Sequence, residues 1–119
     1  MRPLEGVRVV DFSTLLPGPM AGLILAEAGA EVIKVERPKV GEDARYNIPR
    51  FGDDASVNFA LLNRGKRSVA VDLKDPDSVE AMKRLIASAD IVLEQFRPGV
   101  MDRLGLGYEA LRAVNSSLI

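Results

Sequence analysis

The 119 residues include no cysteine, no histidine and no tryptophan. Without cysteine the chain forms no disulfide and offers no thiolate nucleophile, which suits a reducing compartment. Without histidine, imidazole acid–base catalysis is excluded and any metal would fall to carboxylates alone; no metal site is expected. A basic excess is lacking too. Sixteen Lys and Arg stand against 17 Asp and Glu, a formal net charge of -1, whereas nucleic-acid binding asks for a cationic surplus. No apolar run approaches a membrane span, and the opening MRPLEGVRVV lacks the apolar centre of a signal peptide. The expected location is the cytoplasm, with neither nucleic acid nor membrane as partner.

What is present is ordinary for a globular chain: 47% hydrophobic and 28% charged residues. The length fits one domain able to bury a core unaided, so 1–119 is read as a single unit. VRVVDF at 7–12, EVIKVE at 31–36, SVAVDL at 68–73 and DIVLE at 90–94 read as buried strands. STLLPGPMAG makes a tight loop with Pro19 in a first helical turn, and MAGLILAEA continues as a helix whose only charge is Glu27. Apolar almost all round, that helix is expected to be buried on most sides, with Gly29 as a left-handed cap. KDPDSVEAMKRLIASA is a second helix, capped by Asp75, with Pro76 in the first turn and Val79, Met82 and Ile86 on one face. The long connection 37–67 is expected to hold small helices or function. Beyond Arg97 come a turn, a short helical piece and an amphipathic helix through Leu111 and Val114. Strands alternating with helices, and lacking polar alternation, indicate an α/β fold: a Rossmann-like parallel sheet with helices on both faces. The last residues, NSSLI, end as a strand begins, and the chain is expected to be the N-terminal piece of something longer.

Such sheets bind ligands at the carboxyl ends of their strands. After the first strand come Leu15, Leu16 and Pro17, leading to Gly18 at a helix N-terminus. After the second comes Arg37, after the third Lys74, and after the fourth Gln95, Phe96 and Arg97, with Arg103 a little further on. Cations, a ring and an amide along one edge suit several phosphates and a base. The first loop does not carry G-x-G-x-x-G: Gly18 and Gly22 have the wrong spacing, and Pro17 and Pro19 have no N–H to give a pyrophosphate. A nicotinamide-dependent oxidoreductase is therefore disfavoured, although Glu36 stands where a ribose-binding acid would. Lys66 and Arg67 precede the third strand and are read as a solvated turn at the opposite edge. Asp11, Asp72 and Glu94 are carboxylates that a ligand site could use as a nucleophile; none has a recognisable acid–base partner in the sequence.

Three blocks, PLEGVRVVDFSTLLPGPMAGLILAEAGAEVIKVERP, LLNRGKRSVAVDLK and FRPGVMDRLGLGYEAL, resemble the family III coenzyme A transferases. That family also includes formyl-CoA transferase, carnitine CoA-transferase and the α-methylacyl-CoA racemases. The resemblance runs across essentially the whole chain. It implies the first part of the large Rossmann-like domain of an enzyme whose full-length subunits interlock as a homodimer. It implies CoA or acyl-CoA as a substrate rather than a prosthetic group, and a carboxylic acid as acceptor. Matched position by position, the family's CoA contacts fall on Leu16 and Pro17, on Arg37, on Val71, Asp72, Leu73 and Lys74, on Gln95, Phe96 and Arg97, and on Arg103. Gln95 stands where asparagine is common, and Arg97 at a variable position. The resemblance further implies an aspartyl nucleophile located beyond residue 119; the His and Asp of the racemases also lie further along. No catalytic residue is then expected in this chain, and residues 1–119 alone are expected to be inactive. Transfer of CoA is the leading expectation, with an α-methylacyl-CoA racemase as the alternative, then a CoA-holding module without chemistry. Of the adjacent pair, Arg37 is expected to touch the ligand and Glu36 to be structural.

Overall fold

In the computed structural model, which describes residues 1–53 and 55–119, the chain runs β1 (Arg8–Asp11), α1 (Pro17–Glu27), β2 (Glu31–Glu36), a 3-10 turn (Asp43–Tyr46), β3 (Arg50–Phe51), β4 (Ala55–Ser56), α2 (Val57–Asn63), β5 (Arg67–Ala70), α3 (Pro76–Ala87), β6 (Ile91–Leu93), α4 (Val100–Arg103) and α5 (Tyr108–Val114). The main sheet has the order β5-β2-β1-β6 and all its pairings are parallel. Parallel neighbours need a crossover, which the helices supply. β3 and β4 form a separate antiparallel ribbon. The order reverses at β1, with β2 on one side and β6 on the other. A crevice opens at such a switch point.

The two-residue period of the strands divides the core. Val10, Phe12 and Val35 pack on one face with Met82 and Ile86 of α3, Met101 of α4 and Leu111 of α5. Val9 and Val32 pack on the other with Leu25 and Ala26 of α1. Helices thus cover both faces. The start of α3 follows its local signals: the Asp75 side chain accepts from the Ser78 N–H at 3.0 Å and Pro76 opens the first turn.

Two details depart from the sequence reading, the end of β5 and the burial of α1, while the connection 37–67 holds small helices as expected. β5 ends at Ala70 rather than at residue 73. The Val71 N–H still donates to the Glu36 carbonyl at 2.8 Å, and the chain then turns, with the Lys74 N–H on the Asp72 carboxylate at 3.0 Å. The connection 37–67 holds the 3-10 turn, the small ribbon and α2. α1 is not buried on most sides. It meets the sheet through Gly18, Pro19, Gly22 and Leu23, and its other flank leaves Met20 49% and Ile24 60% exposed. The reason is that Gly18 and Gly22 lie on the buried side, while Met20 and Ile24 lie on the opposite flank. At the far edge the Ile119 N–H donates to Asp90 O at 3.1 Å and the Val92 N–H to Ile119 O at 2.9 Å, the pattern of a parallel pairing beside β6. No described helix is long and apolar enough to cross a membrane.

Candidate functional site

The loop leaving β1 sits at the switch point and is gripped along its length by side chains. The Ser13 N–H donates to Asp11 Oδ1 at 2.8 Å, and Lys34 Nζ donates to the Ser13 carbonyl at 2.9 Å. Gln95 Nε2 donates to the Thr14 carbonyl, and Gln95 Oε1 accepts from the Gly18 N–H at 2.8 Å. The Leu15 N–H donates to Glu42 Oε1. Leu15 has φ 66°, a left-handed setting that costs a residue with a Cβ of order 1–3 kcal/mol. From this bonded base Leu15 and Leu16 project outward, 49% and 60% exposed.

The N-terminus of α1 is closed to a pyrophosphate. Pro17 and Pro19 have no N–H. The Gly18 N–H is taken by Gln95, and the Met20 N–H by the Leu16 carbonyl at 2.9 Å. The amides that cradle a dinucleotide in a Rossmann domain are absent or engaged here.

Beneath the loop, the α1 face of the sheet changes character toward its carboxyl end. The register partners Val9 and Val32 are followed two residues on by Asp11 and Lys34, then by Glu36. All three charges are buried, and buried charge must be paired. Lys66 Nζ reaches Asp11 Oδ2 at 3.0 Å, the Pro19 carbonyl at 3.0 Å and Asn63 Oδ1 at 2.9 Å. Lys34 pairs with the buried Glu42. Glu36 takes the Arg45 fork at 2.7 Å on each oxygen, the Ser68 hydroxyl at 2.8 Å and the Glu42 N–H at 2.9 Å. Arg45 also lies 4.0 Å from the centre of the Phe59 ring, which ties α2 to the 3-10 turn.

This overturns the reading of Lys66 as a solvated residue. Its backbone does precede β5, but its side chain is 2% exposed and runs inward under α1. Gly22 makes the room: a Cβ there would lie 2.7 Å from Asp11 Oδ2 and 2.9 Å from Lys66 Nζ. Burial pushes the Lys66 ammonium pKa down, and the Asp11 charge opposes that. Asp11 correspondingly has a partner, and is no free nucleophile. Asp72 and Glu94 stay exposed and accept from the backbone N–H groups of Lys74 and Phe96.

Burial opposes ionisation of Glu36, but the Arg45 fork, the Glu42 amide and the Ser68 hydroxyl outweigh it and hold the carboxyl at about 2, against 4.5 when free. The unfolded chain therefore takes up this proton first as pH falls. Stability from this group is full above pH 4.5 and is lost as pH drops toward about 2. Thermal melts across that window are expected to fall with pH in the wild type, and this share of the fall is expected to vanish in Glu36→Gln. Glu36 is thus a structural acid, engaged where a ribose would have needed it.

Along the edge, strand order lays out Lys74, Arg37, Leu16 and Phe96 in that sequence. A shallow basin opens between the ends of β2 and β5, lined by the cations Arg37, Lys39, Arg45 and Arg50, the carboxylates Glu36 and Asp53, and Tyr46 and Ser68. Arg37 is exposed there, bonded to the Gly41 carbonyl at 3.1 Å and paired with Asp43. No carboxylate among the described residues pairs with Lys74, Arg97 or Arg103, and all three are exposed. Phe96 is half-buried and packs against the core. Gln95 differs from the others, because its amide bridges Thr14 and Gly18. Val71, Leu73 and Pro17 lie on the same edge as backbone and apolar surface. An edge on which Lys74, Arg97 and Arg103 have no carboxylate partner among the described residues suits an anion of several phosphates.

Sequence reasoning missed Lys34, Glu42, Arg45 and Lys66 as the brace of this edge. Part of the signal was present: Val32, Lys34 and Glu36 share one face of a strand otherwise apolar, and a charge on a buried face requires a partner. Gly18 and Gly22, four apart, mark a close helix–sheet approach. The partners themselves come from the irregular connection 37–67, where periodicity is silent.

The family model for CoA-transferase family III matches residues 4–119. The chain is 44% identical over 119 residues to a succinyl-CoA:glutarate CoA-transferase of Mus musculus, covering all of this chain and 27% of that protein. It is 42% identical to a formyl-CoA:oxalate CoA-transferase of Bradyrhizobium sp., covering 99% of this chain and 28% of the relative. A crystal structure of a CAIB/BAIF family protein from Brucella suis superposes with a TM-score of 0.89 at 42% identity, over 96% of this chain and 31% of that one. The chain thus spans under a third of the length of each.

Proposed function

The chain belongs to CoA-transferase family III, and on that premise we propose that it forms the CoA-binding portion of an enzyme that moves CoA from an acyl-CoA donor to a carboxylic acid. CoA is then a substrate, with no prosthetic group. A small dicarboxylate is the proposed acceptor class, in keeping with the glutarate and oxalate in the relatives' names. The reaction divides into two half-reactions. An aspartyl carboxylate attacks the acyl-CoA carbonyl and the CoA thiolate leaves, giving a mixed anhydride. The thiolate then attacks the aspartyl carbonyl of the anhydride, which releases the donor carboxylate and gives an enzyme–CoA thioester. The acceptor carboxylate attacks that thioester and expels the thiolate. The thiolate attacks the acceptor's carbonyl in this second anhydride, giving the new acyl-CoA and freeing the aspartate. As the resemblance to the family implies, that nucleophile is proposed to lie outside residues 1–119; within the chain, Asp11 is paired and sealed, and Asp72 and Glu94 accept from the backbone of their own turns. Assembly as an interlocked homodimer in the cytoplasm is part of the same proposal.

The observation that carries this reading is the carboxyl edge: Lys74, Arg97 and Arg103, with no carboxylate partner among the described residues, share it with Arg37 and with an α1 N-terminus whose Gly18 and Met20 N–H groups are already bonded. Leu16, Pro17, Arg37, Val71 through Lys74, Phe96, Arg97 and Arg103 are the proposed contacts, with Gln95 contributing through the loop it holds. Arg37→Ala and Arg103→Ala are each expected to weaken CoA binding by about 1.5–3 kcal/mol, the worth of a charge-assisted hydrogen bond. Isothermal titration of the purified variants against CoA measures this. Wild-type affinity in both would remove the edge as the site.

A further inference from the structure

We infer that Glu42 is a positioning residue for the substrate loop: through Lys34 and the Leu15 amide it sets the left-handed turn that presents Leu16 and Pro17 to acyl-CoA. The inference rests on the CoA reading above. Glu42 is 3% exposed and lies just before the 3-10 turn, yet its carboxylate acts on a residue 27 positions earlier. Oε1 takes the Leu15 N–H, and Oε2 meets only the Lys34 ammonium. Lys34 in turn holds the Ser13 carbonyl at 2.9 Å. The pair therefore grips the loop at two backbone points, one a donor and one an acceptor.

Packing does not account for the turn. Leu15 is half exposed, so its positive φ adds nothing to the core. Backbone strain held in place by a buried ion pair is a mark of a site kept ready for a ligand. The brace also reaches the cationic basin. The Glu42 N–H donates to Glu36 Oε2 at 2.9 Å, and Glu36 holds Arg45 on the basin wall. Loop and basin are set by one chain of contacts, so that a ligand spanning both would meet them already in register.

The test uses Glu42→Gln, Glu42→Asp, Leu15→Gly and the double variant Glu42→Gln/Leu15→Gly, titrated with CoA by calorimetry and followed by amide hydrogen exchange without ligand. Glu42→Asp keeps the charge beside Lys34 but withdraws its reach to Leu15, so it reports on the loop even if Glu42→Gln fails to fold. Both Glu42 variants are expected to speed exchange at Leu15 and to weaken CoA by roughly tenfold, Glu42→Asp by losing the hydrogen bond to Leu15 and Glu42→Gln by losing the charge that holds Lys34 on the Ser13 carbonyl. Glycine adopts the left-handed setting without strain, so the double variant is expected to return to about the affinity of Leu15→Gly alone. A role confined to fold stability would not be rescued at position 15. CoA affinity unchanged in both Glu42 variants, or no rescue by Leu15→Gly, overturns the inference while the CoA reading stands. A wild type that binds no CoA overturns both.

Discussion

Replacing Lys66 with methionine is expected to lower the free energy of unfolding by about 3–5 kcal/mol, the cost of breaking a buried pair and leaving one charge behind. The partner left is Asp11, 0% exposed, with only the Ser13 groups still bonded to it. Methionine fills much of the lysine stem's volume, so the loss reports on charge more than on a cavity. Adding Asp11→Asn is expected to recover part of the loss, since a neutral amide oxygen can still accept from the Ser13 N–H. The two changes are then strongly non-additive, as for residues in contact. The neighbouring Arg67 is the control. It pairs with Glu31 in solvent, 76% exposed on its side, and Arg67→Met is expected to cost less than about 1 kcal/mol. Urea titration of the variants measures all of this. Equal costs at positions 66 and 67 would return Lys66 to a solvated turn.

Gly18→Ala is the second large effect. Its Cβ would overlap Ser13 Cβ and lie 2.5 Å from Gln95 Oε1. Neither neighbour is free to retreat. Ser13 is fully buried and held by Asp11 and Lys34, and Gln95 is bonded at both ends of its amide. The expected cost is about 3 kcal/mol, the upper end of overpacking, together with weakened CoA binding as the loop shifts. Met20→Ala, on the exposed flank of the same helix, is expected to change stability by less than about 0.5 kcal/mol. A Gly18→Ala protein as stable as the wild type would mean that the loop is not clamped as described.

How much of this was legible in the sequence depends on the range of the contact involved. α3 was readable to its cap, because Asp75, Pro76, Met82 and Ile86 act within a few residues of one another. The carboxyl edge was readable, because strand ends and a doubly wound sheet place Arg37, Lys74 and Phe96 on one side without knowledge of side-chain contacts. Lys66 was misread because its partner lies 55 positions away, and the turn residues around it argue only for the backbone. Glu42 gave no signal at all: its 27-residue reach to Leu15 depends on how an irregular segment folds back. The outer flank of α1 was misread for another reason. An apolar helix shows no stripe, so its sequence does not reveal which side meets the sheet. The small residues at Gly18 and Gly22 carried that information.

The most direct test is a calorimetric titration of the purified protein with CoA and, in parallel, with NAD. A carboxyl edge on which Lys74, Arg97 and Arg103 have no carboxylate partner among the described residues, beside a helix N-terminus whose Gly18 and Met20 N–H groups are engaged, predicts saturable binding of CoA and no heat from NAD. Saturable binding of NAD with no response to CoA would contradict the account.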